Sequence, residues 1–229
     1  MTPLDHALAY AALGWRVIPI EPGHKYPRGV PDWPTKATTD ANRIRKYWTL
    51  HPDHGVGIVC EGSGLFVIDI DSYAGGDEGW ADLEAAYGPV PDTVEAITGR
   101  NGRHLYFQQP DDGGPPITNA AHAMPPGVDV RGHGGFVVAA PSIHPLTGQA
   151  YAWEIEHDPL QGHPVAQAPG WLLHLLRTPA PSQEARRDTV PYTGGDSIID
   201  LFAANTTWAE LLEGDGWTLH SRRGSIHGD

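Results

Sequence analysis

The sequence predicts an α+β fold, and three observations carry that reading. Strand-like segments with alternating or continuous apolar residues outnumber helical ones. They follow one another in runs, separated by Gly- and Pro-rich turns. Helical spacing of apolar residues is confined to a few segments of moderate length. The 229 residues, 40% of them hydrophobic and eight of them Trp, suit one generous domain or one domain with a fragment.

The elements follow in order. Thr2-Pro3-Leu4-Asp5 starts a helix, with Thr as the cap, Pro in the first turn and an acid at the third position. Leu4, Ala7, Leu8, Ala11 and Ala12 then recur at helical spacing, and Gly14 ends the helix. Residues 15–20 read as a strand closed by Pro22-Gly23. Residues 22–38 form a Pro/Gly-rich loop carrying Lys25, Arg28, Trp33 and Lys36, long enough to suggest a functional role. Thr39 or Asp40 caps a second helix through residue 50, with Ile44, Tyr47 and Trp48 inward.

Strands are expected at 55–60 and 65–71, then a helix at 78–87 with Trp80, Leu83 and Ala86 or Tyr87 inward. Further strands are expected at 93–98, 104–108, 128–131, 135–139 and 151–155. A helix at 169–176 closes the domain, which spans residues 1–177. Residues 178–195 have linker composition. Two short helices are expected at 196–204 and 207–213, the second opened by a capping box, Thr207 with Glu210. The tail 196–229 is too short for a core of its own and reads as the start of a truncated following module.

The formal net charge of -13 weighs mildly against a nucleic-acid partner. Its distribution matters more than its sum. Lys and Arg are absent from 47–99 and 132–176. They gather at Arg16, Lys25, Arg28, Lys36, Arg43, Arg45 and Lys46, then at Arg100, Arg103 and Arg131. Screening confines each field to roughly 8–10 Å, so a local basic stripe coexists with an acidic whole. The single cysteine, Cys60, excludes a disulfide framework and Cys-pair zinc sites, and its apolar setting suggests a small buried side chain. No apolar run approaches membrane-spanning length and no leader pattern opens the chain, so a soluble, cytoplasmic protein is expected.

Three segments insert polar groups into strand-like context. In Phe66-Val67-Ile68-Asp69-Ile70-Asp71, alternation puts Asp69 and Asp71 on one face, their Cα atoms about 7 Å apart, and Phe66, Ile68 and Ile70 on the other. Two such carboxylates suit a hard divalent cation, or simply a solvated strand end. In Thr98-Gly99-Arg100-Asn101-Gly102-Arg103-His104-Leu105-Tyr106-Phe107, a Gly-rich basic turn feeds a strand with His104 and Tyr106 on one face. This reads as a triphosphate cradle or as an ordinary hairpin turn with a surface histidine. In Val128-Asp129-Val130-Arg131, Asp129 and Arg131 share a face, as ligand and phosphate contact or as an internal salt bridge before a Gly-rich hairpin. Together, an acid pair, a basic histidine turn and a third acid beside an arginine are the parts of a two-metal phosphoryl-transfer site.

These segments resemble the three motifs of the Prim-Pol domain, the bifunctional DNA primase/polymerase branch of the archaeo-eukaryotic primase superfamily. Ile68-Asp69-Ile70-Asp71 resembles the first motif and Gly102-Arg103-His104-Leu105-Tyr106-Phe107 the second. Val128-Asp129-Val130-Arg131-Gly132 with Gly135-Phe136-Val137-Val138 resembles the third. Ala11-Ala12-Leu13-Gly14-Trp15 with Pro19, Lys25-x-Pro27 and Ala37-Thr38-Thr39-Asp40 extend the likeness over residues 4–177. The resemblance implies an RNA-recognition-like palm sheet packed with helices beside an N-terminal αβ module. It implies a template-directed primase/polymerase that uses single-stranded DNA, NTPs and dNTPs, with magnesium or manganese held by Asp69, Asp71 and Asp129. By the resemblance His104 would contact the incoming nucleotide's phosphates; beside it, Arg100 and Arg103 of the basic turn are read as nucleotide contacts, Arg131 as a phosphate or base contact, and Lys25 as a template or nucleotide contact.

Two departures stand out. Many superfamily members carry Ser two residues before the motif-two histidine, where this chain has Gly102, so the hydroxyl is lost or comes from Thr98. The Cys-based zinc element of some relatives cannot form with Cys60 alone. The tail resembles the segment preceding a helicase in phage and plasmid replication proteins, which implies a helicase module in the full-length protein or in trans. No P-loop occurs in this sequence. The rival readings are a catalytically silent strand- or origin-binding module and a metal-dependent nuclease.

Overall fold

A computed structural model describes residues 1–28, 30–119, 124–178, 217–219 and 226–228. The chain divides into two compact units, Met1–Ala180 and Pro181–Asp229. The first is mixed α and β, with two antiparallel-built sheets and several helices. Among the described residues no helix is long and apolar enough to cross a membrane.

Helix α1 (Pro3–Ala12) begins as expected. Thr2 and Asp5 form a capping box that satisfies two N-terminal amides reciprocally. Its inner face includes Tyr10, which the small-residue pattern did not reveal. That ring is fully buried, and its hydroxyl donates to Ala140 O at 2.7 Å and accepts from Trp153 Nε1 at 2.9 Å. Strand β1 (Arg16–Ile20) pairs antiparallel with β2 (Gly55–Val59). Between them lie a one-turn helix α2 (Trp33–Lys36), absent from the sequence reading, and α3 (Ala41–Leu50), capped by Asp40 and buried through Ile44 and Trp48. The loop that carries Lys25 is held down by Arg16, whose guanidinium donates to the carbonyls of Pro34, Ala37 and Glu61 at 2.9–3.0 Å. Arg16 is therefore part of the scaffold.

The second sheet has the order β6-β3-β5-β4-β8, where β3 is Leu65–Ile70, β4 Glu95–Ile97, β5 Arg103–Gln108, β6 Val128–Arg131 and β8 Ala152–Trp153. A short strand the sequence did not announce, β9 (Ala166–Gln167), runs parallel to the end of β5. Helices α4 (Gly76–Tyr87) and α5 (Gly170–Arg177) contribute Trp80, Leu172 and Leu176 to the core over one face, against Phe66, Ile68, Ile70, Leu105, Phe107, Val128 and Val130. Each of these large side chains contributes roughly 1.5–3 kcal/mol by leaving water. The opposite face supplies Leu65, Val67, Tyr106 and Ala96 to a second core with α1, α3 and the first sheet.

Strand β7 (Phe136–Ala139) departs from the hairpin reading. It does not fold back on β6 but pairs with β2, so Gly132-His133-Gly134-Gly135 carries the chain from one sheet to the other. Gly132 is packed so closely that a Cβ there would lie 2.2 Å from the carbonyl oxygen of Ile117. Cys60 is buried as expected, donates to Arg131 O, and has its thiol pKa pushed up to about 12 by burial.

In Pro181–Asp229, the described strands β10 (Trp217–Leu219) and β11 (Ile226–Gly228) pair antiparallel. The helices expected at 196–204 and 207–213, with the Thr207 cap, lie outside the described residues.

Candidate functional site

The register of the second sheet decides the site. Asp69 pairs with Asp129 on one side and with His104 on the other. Directly paired residues of antiparallel strands project to the same face, so one rung aligns Asp129, Asp69 and His104 across β6, β3 and β5. The next rung down that face is Arg131, Val67 and Tyr106. Asp71 follows β3 in extended conformation, as the residue that opens a 3-10 turn over Ser72–Ala74.

Asp69, Asp71, His104, Arg131, Arg100 and Lys25 line one cavity of about 260 Å³, together with Thr98, Phe136, Val137, Val138, His144 and Tyr151. His104 is buried. Its Nε2 lies 3.3 Å from Asp69 Oδ1, and its Nδ1 has no protein partner. It is therefore no surface histidine. Arg131 donates from Nη2 to Asp129 Oδ2 at 2.9 Å, and its Nε lies 3.9 Å from Asp69 Oδ2. The salt-bridge reading of Asp129 and Arg131 is thus realised inside the candidate site.

The two cavity carboxylates have opposite electrostatics. Burial alone would push Asp69 up, but His104, Arg131 and Lys25 more than offset it and hold the carboxyl below its ordinary range. Asp71 is raised, first by burial and then by repulsion from Asp69, with Asp129 adding to it. Hard oxygen donors under mutual repulsion fit a divalent cation, so Asp69, Asp71 and Asp129 could hold one. Among the described residues, the group whose donor atoms converge within 4.8 Å is a different one, Asp92, His157 and His163. Asp69, Asp71 and Asp129 do not form such a group in this structure; Asp129 is paired to Arg131 and does not line the cavity.

The basic turn is a true hairpin between β4 and β5, tightened by Thr98 N donating to Gly102 O. Asn101 takes a left-handed conformation at φ 61°, which Asn tolerates better than most residues. Thr98 Oγ1 accepts from Gly102 N at 3.0 Å. A Cβ on residue 102 would lie 2.4 Å from Ile70 O and 3.1 Å from that Thr98 hydroxyl. The missing serine is thus sterically excluded, and a threonine hydroxyl stands beside its place. Arg100 stacks on the Tyr73 ring, 3.8 Å from its centroid, and still reaches the cavity.

Arg103 is placed elsewhere. It forms a two-pronged pair with Glu95 at 2.7 and 3.1 Å and does not line the cavity. Arg103→Ala is accordingly expected to lower the melting temperature by a few degrees, about 1 kcal/mol, and to leave ligand binding in the cavity within twofold. A tenfold loss of that binding without a stability change would return Arg103 to the site.

His144 was not legible as a site residue, because it follows β7 in an irregular segment with no periodicity. It is buried at the cavity wall, and its Nδ1 accepts from Leu146 N at 3.2 Å. Nε2 is therefore the protonated nitrogen, and it has no protein acceptor. Burial, then Lys25 and Arg100, hold its pKa below the ordinary histidine value, so at neutral pH it is an uncharged donor. Tyr151, raised by burial and by Asp69 and Asp71, keeps its proton likewise.

A model of the family described as bifunctional DNA primase/polymerase, N-terminal, matches residues 7–171. No curated protein matches the chain.

Proposed function

This chain belongs to the bifunctional DNA primase/polymerase, N-terminal family, and we propose that it is a template-directed nucleotidyltransferase that makes or extends primers. The observation that carries the reading is the Asp129–Asp69–His104 rung, from which Asp69 and His104 line one cavity with Asp71, Lys25, Arg100 and Arg131, while Asp129 stands at its edge paired to Arg131. The larger sheet is read as the RNA-recognition-like palm, supported by its helix-covered apolar face and its acids on the other. Residues 1–177 are taken as the catalytic domain and 178–195 as a linker. The helicase partner and the phage or plasmid setting rest only on the resemblance of the tail.

The reaction is in-line attack of a primer 3′-hydroxyl on the α-phosphate of an incoming nucleotide, with pyrophosphate as leaving group and no covalent enzyme intermediate. Asp69, Asp71 and Asp129 would hold magnesium or manganese, which when bound would activate that hydroxyl and neutralise the pyrophosphate. Lys25, Arg100 and Arg131 draw the triphosphate into a cavity that gathers three cationic side chains within an acidic protein. Arg100, braced on Tyr73, loses little freedom on binding. His104, held by Asp69, is positioned for the phosphates, and His144 Nε2 and the Thr98 hydroxyl offer uncharged donors. Phe136, Val137 and Val138 form an apolar wall for base or sugar.

The test is primer synthesis and extension on single-stranded template, with NTPs and dNTPs supplied separately under each metal. Metal-dependent incorporation is expected. DNA binding with no incorporation under any combination would leave a silent binding module, and release of mononucleotides without added triphosphates would mark a nuclease.

A further inference from the structure

We propose that Asp92, His157 and His163 form a zinc site separate from the cavity acids. Three loops meet there. Asp92 lies in the segment entering β4, His157 follows β8, and His163 precedes β9. Asp92 Oδ1 is 2.7 Å from His157 Nε2, Asp92 Oδ2 is 3.7 Å from His163 Nε2, and the two imidazoles meet edge to face at 4.9 Å. Tetrahedral zinc with bonds of about 2.0–2.2 Å sets its ligand atoms roughly 3.3 Å apart. The two Asp92–imidazole separations straddle that value, and one donor atom from each of the three residues lies within 4.8 Å of the others.

The surroundings are those of a held site. Glu154 Oε2 lies 2.6 Å from His157 Nδ1, on the far side of the ring from Asp92. A carboxylate behind a histidine fixes the ring and leaves the other nitrogen's lone pair free for a metal. The same carboxylate oxygen accepts from the backbone amides of Glu156 and His157, so its position is itself pinned. Asp158 caps the next turn through Leu160 N, and its carbonyl accepts from His163 N, which fixes the spacing between the two histidines.

A protonated His157 ion-paired with Asp92 and Glu154 would account for that ring without an ion, with Nδ1 close to Glu154 but not aligned to hydrogen-bond it. It would leave His163 Nε2 unexplained, since that atom is buried, lacks a hydrogen-bond partner and sits too far from Asp92 to donate well. Two imidazoles and one carboxylate select zinc over magnesium, which prefers all-oxygen shells. Three protein ligands leave a fourth position to water. The ion would tie the segment between β8 and β9 to the approach to β4, a stapling role at the sheet edge far from β6.

The full chain would be stripped with chelator, reloaded with Zn²⁺ in the presence of excess Mg²⁺, dialysed, and its metal content measured. About one zinc per chain is expected, with a tetrahedral visible absorption spectrum when Co²⁺ is substituted and a higher melting temperature on Zn²⁺ addition. His163→Ala and the isosteric Asp92→Asn, the latter at an exposed side chain, should each lose the zinc and the Zn²⁺-dependent shift while keeping the wild-type circular dichroism spectrum. The chain has 13 histidines that could collect zinc adventitiously. Zinc retained equally by both folded variants, or no zinc retained by the wild type, overturns the proposal.

Discussion

Asp69→Asn is expected to reduce nucleotide incorporation on the order of a thousandfold or more, about 4 kcal/mol in the barrier, while the protein still folds. The shape of the side chain is kept, and an amide oxygen still accepts from His104 Nε2, which lies 3.3 Å from Asp69 Oδ1. What disappears is the charge that faces Arg131 and Lys25 and that, with Asp71 and Asp129, would hold the cations. Burial pushes the Asp69 carboxyl up, but His104 first, and then Arg131 and Lys25, hold it below its ordinary range. A depressed carboxylate contributes stability that is present above its unfolded pKa of about 4 and lost as pH falls through the lower folded value. Its removal should therefore cost stability at neutral pH, but less than a core truncation. Single-nucleotide incorporation and a thermal melt on the same preparation separate the two effects. Incorporation within tenfold of wild type would remove Asp69 from the chemistry, whatever the melt showed.

Alternation along β3, β5 and β6 was legible because period-two patterning is a local property. The apolar sets Phe66, Ile68, Ile70 and Leu105, Phe107 mark one face wherever the strands lie. The same alternation places Arg103 with Leu105 and away from His104, and that signal was available in the sequence, although clustering of basic residues pointed the other way. Register was not legible. Nothing in β3 or β6 alone says that Asp69 stands opposite Asp129 and not one pair along. The destination of β7 was also hidden. Gly132-His133-Gly134-Gly135 reads as a hairpin, and only the demand of β2 for a second partner sends Phe136–Ala139 to the other sheet. Because β7 goes there, Phe136, Val137 and Val138 become a wall of the cavity, and His144 is carried to it by the irregular chain that follows. The Asp92, His157 and His163 group is a tertiary product of the same kind, spread over about seventy residues with no spacing motif.

Gly102→Ser tests whether the departure from the superfamily pattern is a loss or a rearrangement. The substitution restores the residue many relatives carry, yet it is expected to damage this protein. A Cβ at 102 would stand 2.4 Å from Ile70 O, a backbone atom between the two acids, and 3.5 Å from Asp71 Cα. Relief requires the Ile70 carbonyl to move by roughly 1 Å, and that carbonyl cannot move without shifting Asp69 and Asp71. Overpacking of this kind costs about 1–3 kcal/mol, and a misplacement of about 1 Å at reacting groups costs on the order of a hundredfold in rate. Gly102→Ala serves as the control. If the steric argument holds, alanine is as harmful as serine, because the first carbon is at fault and the hydroxyl is irrelevant. If serine is tolerated or stimulates incorporation while alanine does not, then a hydroxyl is wanted at 102 and Thr98 has not taken its place. The Thr98 hydroxyl already receives the Gly102 amide, so a serine there would compete for space with the group that does its work.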